Sequence, residues 1–333
     1  MSELAAHINE AAHRLAQGQL VAFPTETVYG LGADASNPEA LAAIFQTKGR
    51  PVNHPVIVHV ASPAELIHWV AEIPPEAQQL MDAFWPGPLT LILPRAAQAP
   101  AAVSGGQDTI GVRCPSHPVA QALLNRFAQI KGEGQPAGVA APSANRFGQV
   151  SPTQAQHVRD EFPHLGPDEL YVLSGGSAEV GIESTIVDVS RLAQGMAPVV
   201  LRPGHITAEQ ITEVLGRTLG HKQTSTGTPR VSGSLKAHYA PRTPLYLKSA
   251  TEVAALADPN AVVVVFDKSI NTSAHLYLAP TDAAQYASQL YAMLRQLDEQ
   301  GYSAIYLEQP PQTAPWEAVN DRIGRAAAAF GSD

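Results

Sequence analysis

Short apolar runs rich in Val, Ile and Leu recur along the chain, each ended by proline, glycine or a polar residue. Bounded runs of this kind predict buried strands. Through the first two-thirds they fall at Leu20–Phe23, Val56–Val60, Leu89–Leu93, Thr109–Val112, Gly138–Ala141, Leu170–Leu173, Thr185–Val189 and Val199–Leu201. Between them, apolar residues return at helical spacing. Pro38–Thr47 reads as a helix with Asn37 as its cap and Pro38 in its first turn. The N-terminal segment, Pro75–Phe84, Pro118–Phe127 and Ala208–Leu215 follow the same pattern. Strands and helices mixed in this way predict an α/β domain over residues 1–215.

From 216 to 243 the periodicity stops, and Gly, Ser, Thr, Pro and basic residues take over, as in a linker. Beyond it, 244–333 alternates cleanly. Strands are expected at Leu245–Leu247, Val262–Phe266, Leu276–Ala279 and Ala304–Leu307, with helices at Glu252–Leu256, Ala283–Gln300 and Trp316–Phe330. Such alternation favours a small Rossmann-like, doubly wound parallel sheet. No glycine-rich fingerprint follows its first strand, so no dinucleotide is expected there.

The composition of the 333 residues, 45% hydrophobic and 15% charged, is that of a chain able to bury a sizeable core. No apolar run is long enough to span a bilayer, and no signal-peptide core begins the chain, so a cytoplasmic protein without membrane contact is expected. Cys114 is alone, which excludes an intrachain disulfide and a multi-cysteine zinc site. A net charge of −9 argues against a protein that coats nucleic acid. Yet no acid occurs between Glu213 and Glu252, while Arg217, Lys222, Arg230, Lys236, Arg242 and Lys248 do. A basic stretch in an acidic protein points to an anion nearby.

Four segments offer chemistry where a strand or helix ends. "AFPTETVYGLGADA" leaves an apolar run and presents Thr25, Glu26 and Thr27 before Tyr29 and two glycines. "FQTKGRPVNHPVIVH" ends a helix at Lys48 and Arg50, with His54 and His59 beyond. Two cations there can answer the helix dipole, or suit a polyphosphate, Arg as a planar fork and Lys as a point charge. "GVAAPSANRFGQVSPT" runs from a strand through Ala141 into Ser143, Asn145 and Ser151; Ser143 and Asn145, two apart on an extended exit, face one side. "TIGVRCP", "GIESTIVD" and "VVLRPG" add Thr109, Arg113, Ser184 and Arg202. There is no Walker loop, no nucleophile elbow and no paired-histidine metal spacing. The residues alone describe a pocket for an anionic ligand, its class left open.

The ordered set "PTETVYGLGADA", "KGRPVNHPVIVH", "PSAN" and "ESTIVD…RPG" resembles the threonylcarbamoyl-AMP synthases, the YrdC-like family, with the Lys-x-Arg and Ser-x-Asn pairs intact. "HYAP" and the domain after it look like the longer, two-domain branch, although the linker "VSGSLKAHYAP" lacks a Pro-Gly-Met. The resemblance implies a YrdC-like twisted mixed sheet with flanking helices. It also implies a reaction in which L-threonine, bicarbonate or CO2, and ATP give threonylcarbamoyl-AMP and pyrophosphate, for modification of tRNA at position 37. Carried over, Lys48, Arg50, His54, Thr109, Ser143, Asn145, Ser151, Arg202 and Tyr239 would contact ATP, with Lys48 and Arg50 catalytic. Thr27, His59, Arg113, Ala141 through its backbone, and Ser184 would hold L-threonine. Mg2+ would come with ATP, on no dedicated protein site. Expected partners are the proteins that transfer threonylcarbamoyl to tRNA, with at most a weak RNA contact, and the basic linker would act as a lid. Two other readings stand beside this one: a related carbamoyl-transfer enzyme, and a double-stranded RNA or tRNA-binding module.

Overall fold

The structure, a computed structural model, describes residues 2–221, 227–270 and 272–331. The chain divides into two units. The first holds Met1–Phe147, Pro152–Glu179 and Glu183–Ser234; the second holds Gly148–Ser151, Val180–Ile182 and Leu235–Asp333. The expected linker therefore parts at Ser234, its earlier portion belonging to the first unit. Lys222 lies outside the described residues.

In the first unit the strands are β1 (Leu20–Phe23), β2 (Gly30–Asp34), β3 (Ile57–His59), β4 (Leu89–Pro94), β5 (Thr109–Arg113), β6 (Val139–Ala140), β7 (Leu170–Val172), β8 (Thr185–Asp188) and β9 (Val199–Arg202). They form one mixed sheet in the order β7-β1-β2-β6-β3-β5-β4-β8-β9. Its helices are α1 (Glu3–Ala16), α2 (Pro38–Lys48), α3 (Pro75–Phe84), α4 (Pro118–Lys131), α5 (Ala155–Glu161) and α6 (Ala208–Leu215). The caps read from the sequence form: the Asn37 side chain accepts from the amides of Glu39 and Ala40, and Gly49 ends α2 in the left-handed conformation.

Two elements differ from the sequence reading. The glycines after Tyr29, read as flexible backbone, belong to β2, which pairs antiparallel with β1. Gly32 is required there by close approach: a Cβ would meet Phe23 Cε1 at 2.7 Å and Val139 Cγ1 at 2.9 Å. Residues 24–29 thus form the loop of a hairpin. The short α5 was not anticipated, since it buries only Val158 and has no side-chain cap at its start.

Alternation of side chains across the sheet sorts the core into two layers. Ala22, Leu31, Val58, Leu91, Ile110 and Val112 face helices that contribute Leu41, Leu80, Val158 and Ile211. On the opposite face, Val21, Phe23, Val139 and Ala141 pack against Ala12 and Leu15 of α1 and Leu123 and Phe127 of α4. Those two helices cover only the β1-β2-β6 half of that face. The other half belongs to β3, β5, β4 and β8, and it turns Ile57, His59, Thr109, Gly111, Arg113, Thr90, Ile92 and Ile186 to the same side.

In the second unit, β10 (Leu245–Lys248), β11 (Val262–Val265), β12 (His275–Leu278) and β13 (Ile305–Glu308) form a wholly parallel sheet in the order β10-β13-β11-β12. Helices α7 (Ala250–Ala254), α8 (Ala283–Glu299) and α9 (Glu317–Ala327) accompany it. All four valines of β11 are buried, as a central parallel strand requires.

Candidate active site

The half-face of the first sheet that α1 and α4 do not cover carries His59, Thr109 and Arg113 of the polar residues singled out in the sequence. Arg113, at the end of β5, is buried, and its three nitrogens are spoken for. Nε donates to Gly87 O at 3.2 Å and Nη1 to Thr27 Oγ1 at 2.9 Å, while Nη2 lies 2.6 Å from Glu26 Oε1. Thr25 Oγ1 donates to Val28 O at 2.6 Å, so in its 2.8 Å contact with Thr27 it must accept. Thr27 then donates to Thr25, accepts from Arg113, and has only acceptor capacity left for a ligand. A donor is what it can read.

Glu26, noted with Thr25 and Thr27 at the strand end, was given no site role in the sequence reading. Burial pushes its carboxyl up, but the adjacent Arg113 guanidinium outweighs this and holds it below the usual range. His59 on β3 lies beside Arg113 on β5 in the sheet register and meets Phe23 edge-on at 6.2 Å. Burial, and then the charge of Arg113, lower its pKa to about 3. His59 is therefore neutral at physiological pH and serves as a hydrogen-bonding group, not a cation.

The sign of its effect on stability follows. The unfolded chain takes up a proton at His59 near pH 6.5, and the folded chain does not until about pH 3. Stability must fall as pH drops through that interval. Glu26 adds to the loss as pH falls further, through its own lowered pKa. The thermal midpoint is accordingly expected to decline between pH 7 and 5, and less steeply in a His59→Asn variant. Parallel curves for the two proteins would refute the assignment.

A second polar cluster lies beside the first. Ser184 Oγ is 2.7 Å from Thr90 Oγ1 and accepts from Arg202 Nη2 at 3.1 Å; Arg202 Nε and Nη2 also donate to the Ser184 carbonyl. Thr90, fully buried in the otherwise apolar "LTLILP" of β4, was missed in the sequence, where a lone threonine at an inward position was the clue. Arg202 Nη1 donates to Ser232 O at 3.1 Å, and Arg50 Nη2 donates to Ser232 Oγ at 3.0 Å and to Pro55 O at 2.8 Å. One residue of the former linker thus joins both arginines. Val231 beside it packs among Ile92, Ile186, Val199 and Leu201. Gln107 exchanges hydrogen bonds with the backbone of Arg230, whose side chain donates to Gly105 O. Pro55, Ile57, Thr109, Gly111 and Val231 are among the residues lining a small cleft at this place.

Lys48, read from the sequence as a point charge suited to a polyphosphate, is buried. Its Nζ donates to the carbonyls of Ser143, at 2.5 Å, and Asn145. Burial, and then the charge of Arg50, set its pKa well below the usual lysine value. It ties the end of α2 to the "PSAN" exit. The Asn145 side chain donates to Arg146 O. The Arg50 guanidinium lies 5.7 Å from the Phe147 ring, whose edge contact with His54 spans 5.3 Å. Burial, then Arg50, lower the His54 pKa. The Ala141 amide is committed to Ile57 O. Ser143 forms a bridge with Gly30 of β2.

Ser151 and Tyr239 belong to the second unit. Tyr239 has φ 62°, a left-handed conformation costly for an aromatic residue. Its ring stacks on Tyr291 at 5.7 Å and lies 5.3 Å from the Arg322 guanidinium. Ser151 is wholly buried, and its carbonyl accepts from Arg295. Among the described residues no three His, Cys, Asp or Glu side chains cluster as metal ligands, and no helix is long and apolar enough to cross a membrane.

A family profile described as "Telomere recombination" (Sua5, YciO and YrdC) matches residues 13–204. A second, "Threonylcarbamoyl-AMP synthase, C-terminal domain", matches 206–328. The threonylcarbamoyl-AMP synthase of Pyrococcus abyssi is 36% identical over 96% of this chain and 94% of its own. The chain belongs to the threonylcarbamoyl-AMP synthase family. The Bacillus subtilis protein of that name is likewise 36% identical, over 96% of this chain and 92% of its own. A solved structure of P. abyssi Sua5 complexed with L-threonine superposes with a TM-score of 0.85 at 34% identity, covering 97% of this chain and 94% of that one. The fold is that of the family's two-domain members.

Proposed function

We propose that the chain condenses L-threonine, bicarbonate-derived CO2 and ATP into threonylcarbamoyl-AMP and pyrophosphate, for modification of tRNA at position 37. The match to synthases across nearly the whole chain carries this reading. The half-face of polar side chains supports it. Arg113, Thr27, His59, Ser184 and the backbone of Ala141 are assigned to threonine. Lys48, Arg50, His54, Thr109, Ser143, Asn145 and Arg202 are assigned to ATP, and Ser151 and Tyr239 join them on their motifs alone.

Arg113 offers a planar donor fork for the amino acid's carboxylate. Threonine's neutral amine attacks CO2, forming the carbamate N–C bond and releasing one N–H proton to solvent. A carbamate oxygen then attacks the α-phosphorus, and the bond to pyrophosphate breaks. The chain's part is positioning and charge stabilisation, with Arg50 and Arg202 answering charge on the phosphates. Mg2+ would come with ATP and would help to neutralise charge on the phosphates.

Residues 1–215 are read as the catalytic domain, 216–243 as a lid over the nucleotide, and 244–333 as a separate α/β domain. The bonds from Arg50, Arg202 and Gln107 to residues 230–232 support the lid. A cytoplasmic site of action and hand-over of the adenylate to tRNA-modifying proteins complete the reading. The test is pyrophosphate release from ATP by the full chain, with and without L-threonine and bicarbonate, and with the product identified by mass. Release that ignores threonine would overturn it.

A further inference from the structure

We propose that Glu26 completes the amino-acid subsite: one carboxylate oxygen fixes Arg113, and the other accepts a hydrogen bond from the ligand's amino group. The inference rests on the reading of that subsite given above, and it adds a residue to it. Glu26 sits in the β1–β2 hairpin loop between Thr25 and Thr27, with its side chain 5% exposed. Oε1 lies 2.6 Å from Arg113 Nη2. Oε1 is held by this ion pair alone, and neither it nor Oε2 meets a donor among the described residues with good hydrogen-bond geometry, although the backbone amides of Glu26 and Ser116 help to favour the ionised form. Oε2, which has no ion-pair partner either, is the oxygen left for a ligand.

A buried carboxylate oxygen without a donor is costly, and such atoms are rare unless something else supplies the hydrogen. Arg113 explains where that donor would come from. Guanidinium has five N–H groups. Gly87 O, Thr27 Oγ1 and Glu26 take one each, which leaves two for a ligand carboxylate. An α-amino acid carries its nitrogen one carbon from its carboxylate. A ligand gripped by Arg113 therefore presents its amine beside the residue that Arg113 already touches. An amine that donates N–H to an ionised carboxylate keeps its lone pair free for attack on CO2. Glu26 is thus a substrate-binding residue that orients the nucleophile, and no proton is transferred to it.

The experiment is calorimetric titration of the full chain with L-threonine and with (R)-3-hydroxybutyrate, which is threonine without its amine. Glu26→Gln keeps the side chain's volume and one acceptor for Arg113, but replaces the second oxygen by a donor. Threonine should bind about tenfold more weakly or worse to this variant, the typical effect of losing a charge-assisted hydrogen bond, while 3-hydroxybutyrate binds as before. If the glutamine variant does not fold, Glu26→Asp, which keeps the charge but withdraws it, should move the same ratio in the same direction. Equal losses on both ligands would show that Glu26 acts only through Arg113 and overturn the amine contact. Unchanged threonine binding would overturn the whole assignment. A wild-type chain that binds no threonine would instead overturn the reading of the substrate, and this inference with it.

Discussion

Arg50→Ala is expected to lower threonine-dependent pyrophosphate release by about 10²–10³-fold, as loss of a preorganised charge-stabilising group does, with little change in thermal midpoint. Arg50 donates to Pro55 O and Ser232 Oγ and lies beside the Phe147 ring, contacts with loop residues and not with the apolar core. Lys48 is a different case. Its nitrogen donates to the carbonyls of Ser143 and Asn145 in the core of the exit loop, and an amine can make both bonds whether charged or neutral. Lys48→Met would keep the stem and strand those carbonyls, at a cost of about 1–3 kcal/mol. The lysine variant should therefore lose stability as well as rate, whereas the arginine variant loses rate alone. Pyrophosphate release and thermal melts on the two proteins separate the effects. Full activity in Arg50→Ala would remove Arg50 from the phosphate site, and an unshifted midpoint in Lys48→Met would remove the structural role of Lys48.

The burial of Lys48, unforeseen in the sequence, and the unread strand β2 have a common cause. Sequence patterns report what a residue prefers locally; both features are decided by what lies across the sheet. "GLGAD" has a poor strand composition, yet Gly32 is in a strand because Phe23 and Val139 leave no room for a Cβ. Strands with continuous valine or leucine, such as β4 and β11, were legible because burial of both faces needs no knowledge of neighbours. The candidate site was legible to the same degree. Polar side chains at strand exits marked Thr27, Arg113, Ser184 and Arg202, since an apolar run that ends in hydroxyls and arginines has no packing reason to do so. Their partners were not legible. The pairing of Glu26 with Arg113 joins the β1–β2 loop to β5, and that of Thr90 with Ser184 joins β4 to the residue before β8, contacts between segments far apart in the chain that only the sheet order brings together.

Amino-acid choice is where the hydrogen-bond bookkeeping has its largest expected consequence. Thr27 is 1% exposed, its proton is committed to Thr25, and Arg113 fills one of its acceptor positions. What remains is a buried lone pair that asks for a hydroxyl or amine hydrogen. L-threonine brings a hydroxyl; 2-aminobutyrate has the same carbon skeleton without it, and valine replaces it by a methyl group. Either analogue would leave the acceptor dry and unpaired, and sites built to bond a hydroxyl discriminate strongly against ligands that lack one. Serine keeps the hydroxyl and gives up one methyl, a contact that is worth about 10–200-fold in an apolar pocket. The kcat/KM for ATP turnover should then rank threonine first, serine second, and 2-aminobutyrate and valine last, the last two at least about 10²-fold below threonine. Thr27→Val, of nearly the same shape, should lower turnover with threonine far more than with 2-aminobutyrate, so that the ratio between them shrinks. A wild-type chain that uses 2-aminobutyrate as well as serine would show that the hydroxyl is not read, and that Thr27 serves only to hold Arg113.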